Sequence, residues 1–281
     1  MEAQVIEIEQ ARLLVLDHVS PLGSEEVPLR GALGRMLAEP VESGGDVPAF
    51  DCSAMDGFAV RAADTLGARP DAPRKLELVD ESRAGRPAAR SLEPGQAIAI
   101  STGGAMPDGA DAVVQVEETR STTDSVDVLA EVTGGRDVRY AGEDIRAGSV
   151  ACPSGTRLGP AELGVLASVG RASVRCHRRP HVRVVTTGDE LLDPSDALRP
   201  GAMRNSNAYS IPALAQQAGS EVVGLGGAPD QLDATREAIR EALASDVAVI
   251  CGGVSVGAHD HVKRALYVPG TTWTPKPGCR A

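Results

Sequence analysis

The sequence predicts a multidomain fold of the α/β plus β class, in which a β-rich domain is combined with a doubly wound α/β domain. Residues 46–139 contain short apolar runs bounded by Gly, Pro and Asp, one of which alternates with polar residues, and this pattern is typical of short strands. From residue 177 onward, strand patterns alternate with helical ones, which implies a parallel sheet with helices on its faces. Helical patterns on both sides of the β-rich domain indicate that it is inserted in a discontinuous helical domain.

The discontinuous helical domain is predicted from residues 1–45 and 140–176. An amphipathic helix over residues 5–19 is indicated by apolar residues at helical spacing, namely Ile8, Ala11, Val15 and Val19. A second, shorter helix is expected to begin at Pro160, which suits a first helical position, and to end before Gly170.

The strands of the β-rich domain, residues 46–139, are predicted from three apolar runs. These are Ile98 and Ile100, then Val113, Val114 and Val116, then Val126, Val128, Ala130 and Val132. Each run is short and lies between turn-forming residues, so we expect a sheet of short strands.

The α/β domain, residues 177–281, is predicted to alternate strands and helices. The elements are a strand at 182–185, a helix at 211–217, a strand at 221–225, a helix capped by Asp230 that places Ala238, Ile239, Ala242 and Leu243 on one face, and a buried strand at 247–251.

Composition excludes several classes of function. The 281 residues carry a net charge of −11, so phosphate backbones and anionic membranes would repel the chain. Aromatic residues make up 2%, too few for a surface that stacks single-stranded nucleic acid. No apolar run approaches the roughly 18 residues of a membrane helix, and no basic segment of a signal peptide opens the chain. We expect a cytoplasmic protein with small-molecule substrates and no nucleic-acid or membrane partner.

Cysteine and histidine give weak signals for a metal site. The five cysteines, which form no C-x-x-C pair, are interpreted as buried or incidental thiols: Cys52, Cys152, Cys176, Cys251 and Cys279. His259, Asp260 and His261 could chelate a metal, although alternate residues of a strand point to opposite faces.

Two predicted strands end in residues that could bind a ligand, because parallel α/β sheets bind ligands beyond the carboxyl ends of their strands. The first end carries Asp189 and Glu190 after a small-residue turn. These carboxylates could hold a metal ion or orient a hydroxyl, or they could simply cap the next segment.

The second strand end is rich in glycine. Gly252, Gly253 and Gly257 would let backbone N–H groups approach an anion, and Ser255 adds a hydroxyl donor. Asp260 could then carry Mg²⁺ against phosphate groups. The run matches neither the P-loop nor the dinucleotide fingerprint, which disfavours ordinary NTPases and nicotinamide-dependent oxidoreductases.

A third candidate is the irregular segment at 50–59 in the β-rich domain. Ser53, Met55 and Asp56 beside Gly57 indicate a binding loop. A tight structural turn is the alternative interpretation.

Six motifs, taken together and in order, resemble the molybdopterin molybdotransferases, a family that includes the E domain of gephyrin. They are FDCSAMDG at 50–57, STGGAMP at 101–107, GADAVV at 109–114, GEDI at 142–145, TGDEL at 187–191 and GGVSVG at 252–257.

The resemblance implies a fold and a reaction. Residues 1–45 and 140–176 would be a linker domain, 46–139 an inserted lid domain, and 177–281 an incomplete molybdopterin-binding domain. The family inserts molybdate into adenylylated molybdopterin with Mg²⁺ and releases AMP. The resemblance implies a homodimer whose active site lies between the α/β domain of one subunit and the lid of the other. It also implies that other proteins of molybdenum cofactor biosynthesis are partners.

The resemblance also assigns roles to individual residues. Asp56 and Thr102 would act from the lid, and Glu190 and Asp230 from the α/β domain with Lys276 of the Lys-Pro-Gly turn. Asp260 would be the metal ligand. The substrate-binding positions would be Ser206, Asn207, Gly252, Gly253, Ser255 and Gly257.

The sequence departs from the family pattern at several positions. Ala258 stands where many members have an acidic residue, Cys52 replaces a polar residue, and Phe58 replaces a usual Tyr. Lys276 follows Leu266 after a short segment, and the resemblance implies that this chain lacks the family's final small β domain. We therefore expect this chain to be less stable and less active than longer relatives, with a non-catalytic dimeric binding protein as the alternative function.

Overall fold

The computed structural model describes residues 6–253 and 261–266. Its α-helices are α1 (Ile8–Leu16), α2 (Pro160–Ser168), α3 (Asn207–Gln217), α4 (Leu232–Ala242) and α5 (Val262–Leu266), and short 3₁₀ helices span Leu29–Gly31, Ala62–Thr65 and Val116–Glu118. Its strands are β1 (Ser24–Pro28), β2 (Val41–Glu42), β3 (Cys52–Ser53), β4 (Gly57–Val60), β5 (Arg74–Ser82), β6 (Gln96–Ile100), β7 (Ala112–Gln115), β8 (Thr119–Ser121), β9 (Ser125–Val128), β10 (Val138–Arg139), β11 (Val150–Cys152), β12 (Ser173–His177), β13 (His181–Thr187), β14 (Leu191–Leu192), β15 (Met203–Arg204), β16 (Glu221–Ala228) and β17 (Val247–Cys251).

The chain divides into two compact units. One contains residues 28–33 and 39–174, and the other contains residues up to 27, 34–38 and those from 175 onward. The three-part division into 1–45 with 140–176, 46–139 and 177–281 stays a prediction.

A six-stranded sheet forms the core of the unit that contains residues 39–174. Its order is β7-β4-β6-β5-β9-β8, and neighbours are antiparallel except for the parallel pair of β5 and β6. Phe58 and Val60 pack in one apolar cluster and Ala59 in another, because successive side chains of a strand point to opposite faces. The central strands are therefore covered on both faces.

Two short strand pairs join distant parts of the sequence. β2 is antiparallel to β11, and β1 pairs with β12. The predicted helix after residue 159 is confirmed as α2, which has Pro160 at its first position. Glu162 Oε2 accepts a hydrogen bond of 2.9 Å from the Gly159 N–H, which satisfies a donor at the start of the helix.

The other unit contains the predicted parallel sheet. Its order is β16-β13-β17, with β13 parallel to both neighbours, and α3 and α4 both contact β13 and β16. Helix α3 begins at Asn207, four residues before the predicted start. It contains Pro212, which is buried inside the helix.

Three details of the sequence prediction are wrong. Asp230 does not cap α4, because Gln231 occupies the cap position and the Asp230 carboxylate bonds elsewhere. Val116 lies in a 3₁₀ helix rather than in a strand, and β17 is only partly buried. Leu243 is the C-cap residue of α4 and is about half exposed, whereas Ile239 and Ala242 are buried. The helix predicted over residues 5–19 is confirmed as the shorter α1, in which no residue is buried.

Within residues 6–253 and 261–266, no helix combines the length and apolar character needed to cross a membrane.

Candidate active site

The predicted binding loop is held by a second segment of the same unit. The Ser53 N–H donates to Gly104 O at 2.9 Å, and the Gly103 N–H donates back to Ser53 O at 2.8 Å. A Cβ added at Gly104 would lie 2.9 Å from the carbonyl oxygens of both Ser101 and Ser82, so only glycine fits this contact. The pairing of two loops about fifty residues apart fixes the position of the residues between Ser53 and Gly57.

Asp56 and Thr102 meet at the junction of these two loops. Asp56 Oδ1 accepts hydrogen bonds from the Thr102 N–H at 2.7 Å and from Thr102 Oγ1 at 3.0 Å. These two bonds, first that of the backbone and then that of the hydroxyl, lower the pKa of Asp56 below its ordinary value. Both residues are exposed, so an ionised carboxylate is presented at the surface.

Other residues of this loop serve its structure. Ser53 Oγ accepts a bond of 3.2 Å from the Met55 N–H and donates one of 2.6 Å to Met55 O, and Ser53 is buried. At Gly57, a Cβ would overlap the Val114 carbonyl oxygen on the neighbouring strand. The segment therefore contains a structural turn, which is formed by Ser53 and Gly57, and a candidate binding residue, Asp56, which projects from that turn.

In the other unit, the turn after β13 places Glu190 against the backbone. Gly188 has a φ of 143°, and a Cβ there would lie 2.6 Å from Glu190 Oε1. Glycine at this position thus allows the Glu190 carboxylate to fold back over the strand end.

Asp189 and Asp230 are bonded to each other's backbone at the same strand edge. Asp189 Oδ1 accepts from the Asp230 N–H at 3.1 Å, and Asp230 Oδ2 accepts from the Asp189 N–H at 3.4 Å. This exchange connects the turn after β13 with the turn after β16. It brings two carboxylates together, and it gives Asp189 a structural contact between the two turns as well as a candidate role as a ligand.

The N-terminus of α3 follows this edge. Ser206 and Asn207, both predicted substrate contacts, are exposed at the start of the helix. Asn205, which the sequence analysis missed, donates from Nδ2 to Thr186 Oγ1 at 2.8 Å and accepts from the Ala208 N–H at 3.1 Å. Asn205 precedes the N-cap residue Ser206, and an Asn next to a helix start is a recognisable capping signal, so this anchoring role could have been predicted.

Gly252 and Gly253 have packing reasons for being glycine. Their φ values are 99° and 62°, and added Cβ atoms would lie 2.8 Å and 3.1 Å from Thr187 Oγ1. The Thr187 hydroxyl is buried and makes no hydrogen bond to the described residues. Replacing either glycine would therefore disturb the strand end itself, and their role in binding an anion stays a prediction.

Several predicted site residues lie outside the described residues: Ser255, Gly257, Asp260 and Lys276. Of the His259, Asp260 and His261 motif, only His261 is described. Within the described ranges, no three His, Cys, Asp or Glu side chains are grouped to hold a metal ion.

Comparison with protein families gives two matches that together cover most of the chain. The model of the MoeA N-terminal region (domain I and II) matches residues 6–170. A model described as a probable molybdopterin binding domain matches residues 183–272.

Curated relatives carry a consistent name. A molybdopterin molybdenumtransferase from Bacillus subtilis is 41% identical over 249 residues, which are 87% of this chain and 58% of the relative. One from a Nostoc species is 41% identical over 244 residues, which are 86% of this chain and 56% of the relative. The chain thus spans less than two thirds of the length of these relatives.

A crystal structure has a similar fold. The molybdopterin biosynthesis MoeA protein from Pyrococcus horikoshii is 33% identical and superposes with a TM-score of 0.82 over 88% of this chain and 66% of its own. The family matches, the relatives and this fold agree with the six motifs, and the chain belongs to the MoeA family of molybdopterin molybdenumtransferases.

Proposed function

We propose that the chain is a transferase of molybdenum cofactor biosynthesis, which inserts molybdate into adenylylated molybdopterin and releases AMP. The family membership supports the reaction class. The observation that carries the proposal within this chain is the Asp56 and Thr102 pair, because two hydrogen bonds lower the pKa of an exposed carboxylate and orient it on two loops joined by backbone bonds. Such an arrangement suits a group that orients a reactant rather than a packing element.

The carboxyl edge of the parallel sheet is the proposed substrate-binding region. Exposed Ser206 and Asn207 at the N-terminus of α3 would bind a phosphate group, since helix N-termini favour anions. Gly252, Gly253, Ser255 and Gly257 would contribute backbone and hydroxyl donors. Glu190 and Asp230 would orient the substrate, and Lys276 would offset its negative charge.

Mg²⁺ fits the chemistry of this edge. It binds hard oxygen ligands, typically one or two carboxylates together with substrate phosphates. Asp260 is the proposed ligand, and Asp189 and Asp230 are described carboxylates at the carboxyl edge of the sheet. When bound, the ion would screen the phosphate charge while the adenylate leaves.

The proposed assembly is a homodimer in which the lid residues 46–139 of one subunit face the α/β domain of the other. The discontinuous linker domain, 1–45 and 140–176, would hold the lid. The described cysteines are all free thiols, which suits the reducing cytoplasm, and further proteins of the pathway would supply the substrate and take up the product.

A non-catalytic dimeric binding protein is the second candidate function. Ala258, where many family members have an acidic residue, favours it because one negative charge near the proposed metal is missing. The two functions differ in whether molybdate is inserted or the nucleotide is only bound.

The test is an insertion assay with the purified chain and its Asp56→Asn variant. Asn retains an oxygen acceptor for both Thr102 bonds but removes the charge, so we expect the rate to fall on the order of 100-fold with an unchanged fold. Asp71→Asn is the matched control, because Asp71 is in the same unit and forms only an exposed pair with Arg69. Binding of AMP without insertion by the wild-type chain would instead support the binding protein.

A further inference from the structure

Asp137 has an unusual backbone conformation. Its φ is 53°, and at every other described position with a positive φ the residue is glycine. Left-handed conformations cost free energy for residues with a side chain, although Asp tolerates them better than most. A position that glycine would occupy without strain thus carries a carboxylate, which indicates that the side chain is used.

Both the backbone and the side chain of Asp137 make specific contacts. Its carbonyl oxygen accepts a hydrogen bond of 2.9 Å from the Ala54 N–H. Its Oδ2 accepts one of 3.0 Å from Gln115 Nε2 and lies 3.6 Å from Arg136 Nε. The side chain is 21% exposed, so these contacts are largely shielded from solvent.

The two hydrogen bonds reach the loop of Asp56 from both sides. Ala54 lies two residues before Asp56, and Gln115 is the register partner of Gly57, the residue after it. Val116, which follows that strand and begins a 3₁₀ helix, donates its N–H to Asp56 O at 3.1 Å. Asp137 therefore contacts the chain on both sides of Asp56. It bonds directly to Ala54 before Asp56, and through Gln115 it contacts the strand that pairs with Gly57 after Asp56.

We propose that Asp137 is a positioning residue, whose left-handed backbone and carboxylate together fix the loop that presents Asp56 to Thr102. The consequence for catalysis rests on the function proposed above. The positioning itself does not, because it can be measured without substrate.

The test compares three substitutions. Asp137→Ala removes the carboxylate and strains the backbone, Asp137→Gly removes the carboxylate without strain, and Asp137→Asn keeps an oxygen acceptor and tolerates a positive φ. The main readout is the pKa of Asp56, measured by ¹³C NMR titration of its carboxyl group. A second readout is kcat and KM of molybdate insertion.

We expect the pKa of Asp56 to rise toward its ordinary value in the Ala and Gly variants, because a displaced loop weakens the Thr102 bonds. We expect kcat to fall roughly 10- to 100-fold with little change in KM, since small displacements of catalytic groups have effects of this size. Asn should restore both. The Gly variant keeps the test valid if the Ala variant does not fold.

An unchanged pKa of Asp56 in a folded Gly variant would overturn the proposal, and so would failure of Asn to restore it. A shifted pKa in a chain that shows no insertion activity, even as wild type, would support the positioning role and count against the proposed reaction.

Discussion

At the scale of single residues, Thr102 lowers the pKa of Asp56 through two separable hydrogen bonds. Thr102→Val removes the hydroxyl donor but keeps the N–H, so we expect the pKa of Asp56 to rise while remaining below its ordinary value. Carboxyl ¹³C NMR titration measures this directly. Thr102→Ser keeps the hydroxyl and is the matched control, and equal pKa values in the Val and Ser variants would show that the hydroxyl has no part in the effect.

The family motifs in the sequence predicted Asp56 and Thr102 as site residues. They did not predict the hydrogen bonds that position the two residues. The bond between Asp56 and Thr102 connects residues 46 positions apart, and no local pattern encodes such a contact. Asp137 was not noticed, because a left-handed Asp is indistinguishable in sequence from any other turn residue. Gly253 was predicted as part of an anion-binding turn. Its close contact with Thr187 was not predicted, because that contact depends on two strands that end side by side.

At the scale of elements, an ion pair joins two strands of the parallel sheet at the end opposite the candidate site. Arg178, just before β13, makes two hydrogen bonds of 2.8 Å to the Asp246 carboxylate, just before β17. The His181 N–H donates a third bond of 2.7 Å. These contacts, led by those of Arg178, lower the pKa of Asp246 well below its ordinary value of 3.8. Two neighbouring strands therefore share one ion pair at their start.

This pair predicts a pH-dependent contribution to stability. Because the pKa of Asp246 is lower in the folded chain, the unfolded chain takes up the proton first as the pH falls. The contribution is complete well above pH 3.8, decreases as the pH falls below that value, and is lost near the lowered folded pKa. We expect Asp246→Asn to reduce the thermal midpoint at pH 7 and to converge with wild type in acid.

Glu237→Gln is the control for the Asp246 prediction, because Glu237 pairs with Arg240 on the exposed surface of α4, where ion pairs contribute little. Thermal unfolding followed by circular dichroism between pH 3 and pH 7 measures both variants. A deficit of Asp246→Asn that stays constant down to the lowest pH would contradict the assignment.

Helices and strands with clear sequence patterns were predicted well. The burial of an element was not predicted where it depends on what packs against that element. β13 and β17 were identified by their β-branched and apolar runs, and α2 by its Pro and Gly boundaries. The two-sided burial of β4 could not be predicted, because it depends on what packs on each face of the assembled sheet. The exposed stripe of α1 has the same cause, since periodicity predicts an apolar face and not its partner.

At the scale of the whole molecule, the candidate residues lie in two separate units of the chain. Asp56 and Thr102 belong to the unit with the six-stranded sheet, and Glu190 and Asp230 belong to the unit with the parallel sheet. The proposed homodimer assigns the two groups of one active site to different subunits. That assignment can be tested by mixing inactive variants.

Asp56→Asn inactivates the lid contribution of its subunit, and Asp230→Asn inactivates the α/β contribution. If the site is shared, a hybrid dimer of the two variants has one site with both residues intact. Random exchange of subunits should then restore about a quarter of wild-type insertion activity, because half of the dimers are hybrids and half of their sites are intact. Light scattering should show a species of about twice 29.0 kDa for the wild type and both variants. Activity that stays at the level of the separate variants after exchange, or a species of only 29.0 kDa, would contradict the shared site.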